Sequence, residues 1–467
     1  MPINMLPDDV LLAIFDFCLQ YCVVDRVVLD EEIEAWQPLV HVCRQWRSVV
    51  LGSPHRLKLR LYCKTKTRTP LRDTLGVWPT LPLIIDGNVL QPEDLDNITA
   101  LLERSDHACR IKLSTFVESH QKQILAAMQK PFSELTHLHL SSNAVTAVPD
   151  SFLGGSAPRL LQLYLYGIPF PGLPNLLLST THLRELHLVN IPHSGYFSPE
   201  AFVFALSTLT SLRLLSLEFQ SPQSRPYRRP PPLTRSVLPF LRSLRFKGVS
   251  EYLEDLVARI DRFDTPQLFS LRITLFNQIV FDTPQLIQFI TRTPRLKALK
   301  EARLALKNDA AEVTISSPFG PGYGNINVEI KCSESGWQFS SLEQVCTRCL
   351  PPLSALENLY IYENPKLPPD WRDNIENTLW LQLLHPFSVV KNLYLSKEFV
   401  PRVAPALQEL VGGRTAEVLP ALQNIFLEGR ELSVVQEGIA TFVAARQLSG
   451  HPITVSLWER DRGQFWV

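Results

Sequence analysis

A short leucine motif, L-x-x-L-x-L, recurs along most of this 467-residue chain and strongly limits how the chain can fold. Its copies begin at Leu135, Leu160, Leu183, Leu212, Leu241, Leu268, Leu356, Val390 and Leu422, and the first six lie 23–29 residues apart. In a short strand, alternating leucines point to one side and the intervening residues to the other. One strand with its return segment cannot close a core, but stacked copies bury a continuous one. The motif therefore predicts a solenoid.

The spacing of the copies is typical of leucine-rich repeats, which run for about 20–29 residues. The return segments carry helical patterns, as at 199–206, and prolines before several strands end those helices. We therefore predict an α/β fold for residues 81–467, in which a curved parallel sheet carries outer helices. The first copy continues as S-S-N, close to the asparagine that such repeats carry, but most later copies lack it. The repeats are therefore irregular.

Two segments interrupt the repeats, and a third ends them. Residues 221–234 are rich in proline and arginine, which disfavour a regular helix or an inner strand. We expect an exposed insertion there, with a polyproline-type ligand for a partner as the alternative. Residues 301–344 contain two alternating segments around a glycine-rich turn and predict a β-hairpin-like insertion. Residues 433–467 are expected to cap the solenoid with a helix and a last strand.

The first 60 residues have a different pattern, because their apolar residues recur at the three- and four-residue steps of helices. Pro7, Asp8 and Asp9 favour a helix start, where proline needs no N–H and acidic groups complement the helix dipole. A second apolar face runs from Leu39 to Val50. Residues 61–80 include the polar, basic K-T-K-T-R-T-P and predict a linker or hinge, with a nuclear-import or anion-binding patch as the alternative. Short helices of this kind leave apolar surface for another domain or a partner to cover.

Two segments of this helical module, L-P-x-x-V-L-x-x-I-F and L-V-x-V-C-R-x-W-R-x-V-V, resemble an F-box. The F-box is a motif of three short helices that docks the Skp-type adaptor of cullin–RING ubiquitin ligases. The connection over residues 19–35 is longer and more acidic than is usual for the family. The resemblance implies an adaptor-binding face made of Leu6, Pro7, Val10, Leu11, Ile14, Leu39, Val42, Cys43 and Trp46.

Later segments, such as L-H-P-F-S-V-V-K-N-L-Y-L-S-K and R-Q-L-S-G-H-P-I-T-V-S-L-W, resemble the expanded F-box family of mushroom-forming (basidiomycete) fungi. This resemblance implies a substrate receptor of an SCF-type ubiquitin ligase. Its expected partners are a Skp-type adaptor, a cullin scaffold and an unidentified protein substrate. Other subunits would supply the chemistry, and this chain would hold a substrate lysine near a ubiquitin carrier. We expect no enzymatic activity and no cofactor, and a cytoplasmic or nuclear location.

Charge balance, apolar runs and cysteine content limit the classes of partner and the cellular compartment that we expect. Lys and Arg together number 46, as do Asp and Glu, so overall charge does not favour nucleic acid or an anionic membrane. No apolar run approaches the roughly 20 residues of a membrane-spanning helix, and the N-terminus does not resemble a signal peptide. The eight cysteines are scattered along the chain, which suits reduced thiols better than a disulfide framework.

The candidate chemical motifs are weak. Cys346 and Cys349 form the only C-x-x-C, and no second pair follows at metal-ligand spacing, so we interpret both as packing residues rather than a metal or redox site. Cys18 and Cys22 lie one helical turn apart and are interpreted in the same way. The histidines of the early repeats come without the Ser and Asp partners of a catalytic triad. No phosphate-binding or dinucleotide-binding glycine motif is present.

The residue between the second and third leucine-type positions is expected to face the concave side of the solenoid. Along the repeats these residues are His139, Tyr164, His187, Ser216, Arg245, Arg272, Tyr360, Tyr394 and Phe426. Tyrosine and arginine are enriched at binding hot spots, although aromatic residues also suit strands in general. We predict a substrate-binding face here, with His139, Tyr164, His187, Arg245, Arg272, Tyr360 and Tyr394 as its contacts. The two arginines are hypothesised to bind an acidic or phosphorylated segment.

The alternative is a repeat-based interaction scaffold, outside any ubiquitin ligase, whose N-terminal helices only cap the solenoid. A cap would bury Leu6, Ile14 and Trp46 against the first repeats. A docking module would leave part of that set exposed as an apolar patch.

Overall fold

The computed structural model divides into two compact units, Met1–Phe197 and Ser198–Val467. It describes residues 6–24, 36–54, 56–57, 59–64, 81–143, 146–222, 236–261, 267–276, 282–297, 299–318, 323–332, 334–350, 353, 355–363, 375–410, 414, 416–429 and 436–459. No helix within these ranges is long and apolar enough to cross a membrane.

The first unit opens with three helices, α1 (Asp8–Val24), α2 (Gln37–Val40) and α3 (Arg44–Gly52). Helix α3 starts at Cys43, whose Sγ accepts a hydrogen bond from the backbone N–H of Trp46 at 3.5 Å. Helices α1 and α3 pack through Phe15 and Trp46, whose rings meet edge to face with centroids 4.8 Å apart. This aromatic contact fixes α1 against α3.

The rest of the first unit is a parallel sheet with helices in its return segments. Its strands are β1 (Leu61–Lys64), β2 (Leu83–Val89), β3 (Ala108–Thr115), β4 (His137–Ser142), β5 (Gln162–Tyr166) and β6 (Glu185–Ile191). Its helices are α4 (Pro92–Leu102), α5 (Glu118–Ala127) and α6 (Leu173–Leu177), with 3₁₀ turns at Phe152–Gly155 and His193–Gly195. The motif leucines line up in register, as in the buried row Leu138, Leu163 and Leu186. The leucine spacing therefore sets both the strand register and the core.

The second unit continues the same strand-and-helix pattern. Its strands are β7 (Leu214–Phe219), β8 (Ser236–Val237), β9 (Ser243–Gly248), β10 (Ile260–Asp261), β11 (Ser270–Leu275), β12 (Glu301–Leu306), β13 (Ala310–Ser316), β14 (Asn325–Lys331), β15 (Asn358–Glu363), β16 (Asn392–Leu395), β17 (Asn424–Glu428) and β18 (Thr454–Trp458). Its helices are α7 (Pro199–Leu206), α8 (Ser250–Arg259), α9 (Pro284–Arg292), α10 (Pro294–Lys297), α11 (Ser335–Gln344), α12 (Asn377–Leu384), α13 (Val400–Gln408) and α14 (Gln436–Leu448), with a π turn at Val345–Cys349. Together the two units confirm the predicted α/β leucine-rich-repeat fold.

The strands of the second unit form one sheet in the order β7-β9-β11-β14-β13-β12-β15-β16-β17-β18, apart from the small β8–β10 pair. All neighbours pair in parallel except around the segment β12–β14, where β13 runs antiparallel to both of its neighbours. The two strands expected around the glycine-rich turn are β13 and β14, and β12 adds a third. Strand β14 pairs with β11 and β12 pairs with β15, so the insertion joins the repeat sheet on both sides.

Some expected boundaries differ in the structure. The expected linker at 61–80 starts with strand β1, because Leu59, Leu61 and Cys63 alternate as buried residues and β1 pairs with β2. Residues 65–80, and all of the 221–234 insertion except Ser221 and Pro222, lie outside the described residues. At the C-terminal end, α14 and β18 lie where the cap is expected, but the inner side chains of β18 remain about half exposed among the described residues.

Candidate functional site

One side of helix α1 presents apolar side chains to solvent. Pro7, Val10, Ile14 and Phe17 follow one another at three- and four-residue steps, and all four are exposed. Ile14 is 39% exposed and Phe17 is 67% exposed. In the turn before α3, Val42 is 57% exposed. The helical module therefore exposes a row of apolar side chains along α1 and a further one, Val42, in the turn before α3.

The other residues expected to contact the adaptor are less exposed to solvent. Leu6, Leu39, Cys43 and Trp46 are partly exposed. Leu11 is wholly buried, so its place is in the core of the module and not on the adaptor-binding face to which sequence analysis assigned it. Sequence analysis also missed Phe17, although its spacing from Val10 and Ile14 gave the signal. We define the apolar docking face as Pro7, Val10, Ile14, Phe17 and Val42.

Hydrogen bonds hold the helices that carry this face. The Gln45 side-chain amide donates to the Leu6 carbonyl at 3.4 Å and to an Asp8 carboxylate oxygen at 3.3 Å, joining α3 to the start of α1. Arg47 Nε donates to the Val40 carbonyl at 2.9 Å. The module is also tied to the repeats, because Trp36 Nε1 donates to the Arg60 carbonyl just before β1 at 3.0 Å.

The outward side of the strands, opposite the buried leucines, carries the expected substrate-binding residues. In the first unit His139, Tyr164 and His187 occupy matching register positions on β4, β5 and β6. The His139 and Tyr164 rings stack with centroids 4.1 Å apart, and the Tyr164 and His187 centroids lie 5.4 Å apart. These three expected contacts therefore form one partly exposed ring ladder.

A second ring ladder lies in the second unit. Tyr360, Tyr394 and Phe426 stack across β15, β16 and β17 with centroids 4.3 Å and 4.4 Å apart. The Arg303 guanidinium lies 5.7 Å from the Tyr360 centroid, and the Trp458 ring meets Tyr394 edge-on at 5.5 Å. Burial, and then the nearby Glu301 carboxylate, raise the pKa of Tyr360, while burial raises that of Tyr394. Because the rings cover one another, they offer a partner their edges rather than their faces.

An asparagine ladder runs beside these rings and was not anticipated from sequence. Asn392 Nδ2 donates to Asn358 Oδ1, and Asn424 Nδ2 donates to Asn392 Oδ1, each at 2.7 Å. The Thr454 hydroxyl donates to Asn424 Oδ1 at 2.5 Å. The recurrent asparagine just before the middle leucine-type position of three repeats was the available signal. These bonds add register-specific pairing to the sheet.

The two expected arginines are exposed and lie side by side. Arg245 on β9 and Arg272 on β11 are register partners. Ser216, which precedes them in the same row, is instead buried, and its hydroxyl donates to Glu218 at 2.8 Å. The expected outward row therefore changes along the second unit, from a buried serine to two exposed arginines and then to stacked rings.

The cysteine pair lies in the π turn at Val345–Cys349. Both thiols are buried, and burial raises the pKa of Cys346 and raises that of Cys349 to about 12. Both are therefore protonated at neutral pH, which suits packing rather than nucleophilic chemistry. Within the described ranges, no group of three or more His, Cys, Asp or Glu side chains is placed to hold a metal ion.

Comparison with known proteins gives only distant similarities. No protein-family model matches the chain, and no curated protein matches it. Among solved structures, the leucine-rich repeat-containing protein LegL7 from Legionella pneumophila shares 14% identity, with 87% of this chain and 100% of that chain covered and a TM-score of 0.27. The Rad7–Elc1 complex of yeast shares 11% identity, with 92% and 91% covered and a TM-score of 0.26. At such scores the fold assignment depends on the strand register and core described above.

Proposed function

We propose that this protein is a substrate receptor of an SCF-type ubiquitin ligase. In this proposal the N-terminal helices bind a Skp-type adaptor, which connects them to a cullin scaffold, and the repeats bind a target protein. The chain itself carries out no catalysis. It contributes proximity and orientation, which other subunits use to transfer ubiquitin.

The observation that carries the proposal is the apolar docking face. A terminal module that only capped the repeats would turn Ile14 inward, whereas Ile14 and its neighbours on α1 are exposed while Leu11 and Phe15 form the module's core. Fully burying a side chain of this size is worth about 1.5–3 kcal/mol, and covering the exposed parts of Val10, Ile14, Phe17 and Val42 together recovers a share of that at each position. The match of these segments to the F-box pattern indicates which class of partner covers them.

One observation favours the alternative of a simple interaction scaffold. Trp36 is buried, and its indole donates to the chain entering β1, as expected of a helix that covers the end of a solenoid. This contact leaves the docking face uncovered, so a capping role and a docking role are compatible. The scaffold alternative is preferred only if no adaptor binds.

Co-purification from the host with the Skp-type adaptor and the cullin tests the proposal. We expect the wild type to retain both, and a Val10→Asp/Ile14→Asp variant to lose both, because two charges on the apolar face cannot be desolvated. Leu178→Asp is the matched control, since Leu178 is as exposed as Ile14 but lies at the end of α6. Failure of the folded wild type to retain the adaptor would leave the scaffold alternative.

A further inference from the structure

Four exposed arginines lie on, or directly before, three neighbouring strands of the second unit. Arg245 and Arg272 lie on adjacent strands, which are about 4.8 Å apart. Arg213 and Arg242 directly precede β7 and β9, and the Arg242 N–H donates to the Arg213 carbonyl at 2.8 Å. We call Arg213, Arg242, Arg245 and Arg272 the arginine cluster. Like charges directly opposite each other on neighbouring strands are destabilising, so the cluster carries a free-energy cost unless anions bind it.

Within the described residues, the side chains of Arg245 and Arg272 have no hydrogen-bond or ion-pair partner. A second like-charge pair in the same sheet, by contrast, has a counter-ion between its two side chains. Glu312 and Glu329 are register partners on β13 and β14, and Lys307 Nζ bridges their carboxylates at 2.6 Å and 2.5 Å. The sheet thus supplies its own counter-ion for the acidic pair, whereas the described residues supply none for Arg245 and Arg272.

The strands around the cluster carry two acidic residues, and each has a basic neighbour. Glu218 on β7 lies opposite Lys247 in register, and Glu329 on β14, the strand next to β11, is paired with Lys307 and Lys331. The four arginines are therefore not neutralised by their own strands. An incoming acidic segment meets a positive surface at which charge-assisted hydrogen bonds to guanidinium groups can form.

The arrangement of the cluster indicates the kind of anion. Arg245 and Arg272 lie one strand spacing apart in register, and Arg213 and Arg242 lie at the starts of β7 and β9. Charges spread along a sheet in this way match several carboxylates on an extended segment better than one phosphate in a pocket. The ring ladder Tyr360–Tyr394–Phe426 does not offer an equivalent site, because its ring faces are already stacked.

We propose that the arginine cluster docks an acidic protein segment that carries at least two Asp or Glu side chains in extended conformation. This inference deepens the proposed function, since it names the chemistry of the target that the repeats bind. Bound carboxylates pair with Arg245 and Arg272 and remove the repulsion between them.

The test measures fluorescence anisotropy of a labelled peptide of alternating Glu and Ser on the full-length protein. The comparison peptides have Gln at every Glu position, with and without a single phosphoserine. We expect the Glu peptide to bind at least tenfold more tightly than the Gln peptide, about the effect of one charged hydrogen bond. Arg245→Glu/Arg272→Glu should abolish this preference, and added salt should weaken it.

The matched control is Arg292→Glu/Arg295→Glu, which makes the same change in net charge at exposed positions on α9 and α10 and should bind like wild type. Equal binding of the Glu and Gln peptides, or unchanged binding by Arg245→Glu/Arg272→Glu, would overturn the proposal. Tighter binding of the single-phosphate peptide through the same arginines would overturn it in favour of a phosphorylated target.

The result is separable from the proposed function, because adaptor co-purification is measured on the same variants. If the adaptor is retained while the acidic peptide is not preferred, only the inference about the target fails. If the acidic peptide binds while the adaptor does not, the arginine cluster belongs to a scaffold and the ubiquitin-ligase role fails.

Discussion

At the scale of single residues, Arg446 shows how the last repeats are held together. Its side chain is fully buried on α14, and Nη2 donates to the carbonyls of Leu419, Pro420 and Leu422 at 3.5, 3.0 and 3.3 Å. Burial lowers the pKa of this guanidinium. Leu419 adopts a positive φ of 49°, so the turn that presents these carbonyls is strained and depends on a fixed donor.

We predict that Arg446→Met lowers the free energy of unfolding by about 3 kcal/mol, because buried carbonyls lose their donor and each unsatisfied group costs roughly 1–3 kcal/mol. Chemical denaturation followed by circular dichroism measures the change. Arg414→Met, at an exposed arginine of the same unit, should leave the unfolding midpoint in place. Equal stability of Arg446→Met and wild type would show that the carbonyls do not need the guanidinium.

The buried side of helix α1 could not be predicted from its sequence. Helix α1 has apolar residues at 10, 11, 12, 14, 15 and 17, which make a band too wide to divide by periodicity alone. Packing against Trp46 turns Phe15 inward with Leu11, and Ile14 and Phe17 outward. The helix was predictable from its spacing, but the assignment of Leu11 to the outer surface was wrong because the position of α3 decides which stripe is buried.

At the scale of elements, the segment β12–β14 is the main departure from the repeat. Alternating apolar residues predicted two of its strands, and the turn between them predicted a hairpin. The order β11-β14-β13-β12-β15 was not predictable, because alternation does not determine which neighbour a strand pairs with. The segment is stabilised on its outward side by Lys307, which is only 13% exposed between Glu312 and Glu329.

We predict that Lys307→Met lowers the free energy of unfolding by about 2 kcal/mol at neutral pH, because Glu312 and Glu329, whose side chains are only 20% and 18% exposed, then face each other without the ammonium between them. Burial alone would raise the pKa of Glu329, but the hydrogen bonds and charges of Lys307 and then of Lys331 outweigh it and lower that pKa. The stabilisation that ionised Glu329 contributes is therefore fully present above pH 4.5, the ordinary pKa of a glutamate. It is lost as the pH falls through the lowered pKa of Glu329 in the folded protein.

The measurement is thermal unfolding of wild type and Lys307→Met across the acidic range, in which the difference between them should shrink as Glu329 becomes protonated. Lys300→Met is the control, because the Lys300 side chain is half exposed and its ion pair with Glu357 at 3.2 Å contributes little. A deficit in Lys307→Met that is independent of pH would point to lost packing of the lysine stem instead.

At the scale of the whole molecule, balanced composition conceals local charge. The totals of 46 basic and 46 acidic residues cancel, yet the arginine cluster and the Glu312–Glu329 pair place like charges of opposite sign on different strands of one sheet. Strand register creates these patches, and a sum over the sequence cannot show them. The leucine repeat predicted the fold because every inward position must hold an apolar side chain that the core buries. The outward positions share no such requirement, so their roles depend on neighbouring strands that only the structure brings together.

The measurement that most directly tests the proposed receptor role is calorimetric titration of the purified chain with a purified Skp-type adaptor. We predict a one-to-one complex whose affinity falls by about two orders of magnitude in Ile14→Asp and again in Val42→Asp, since each charge must be buried at the interface. Leu178→Asp should bind like wild type. Binding that is absent in the folded wild type, or is indifferent to both substitutions, would contradict the account.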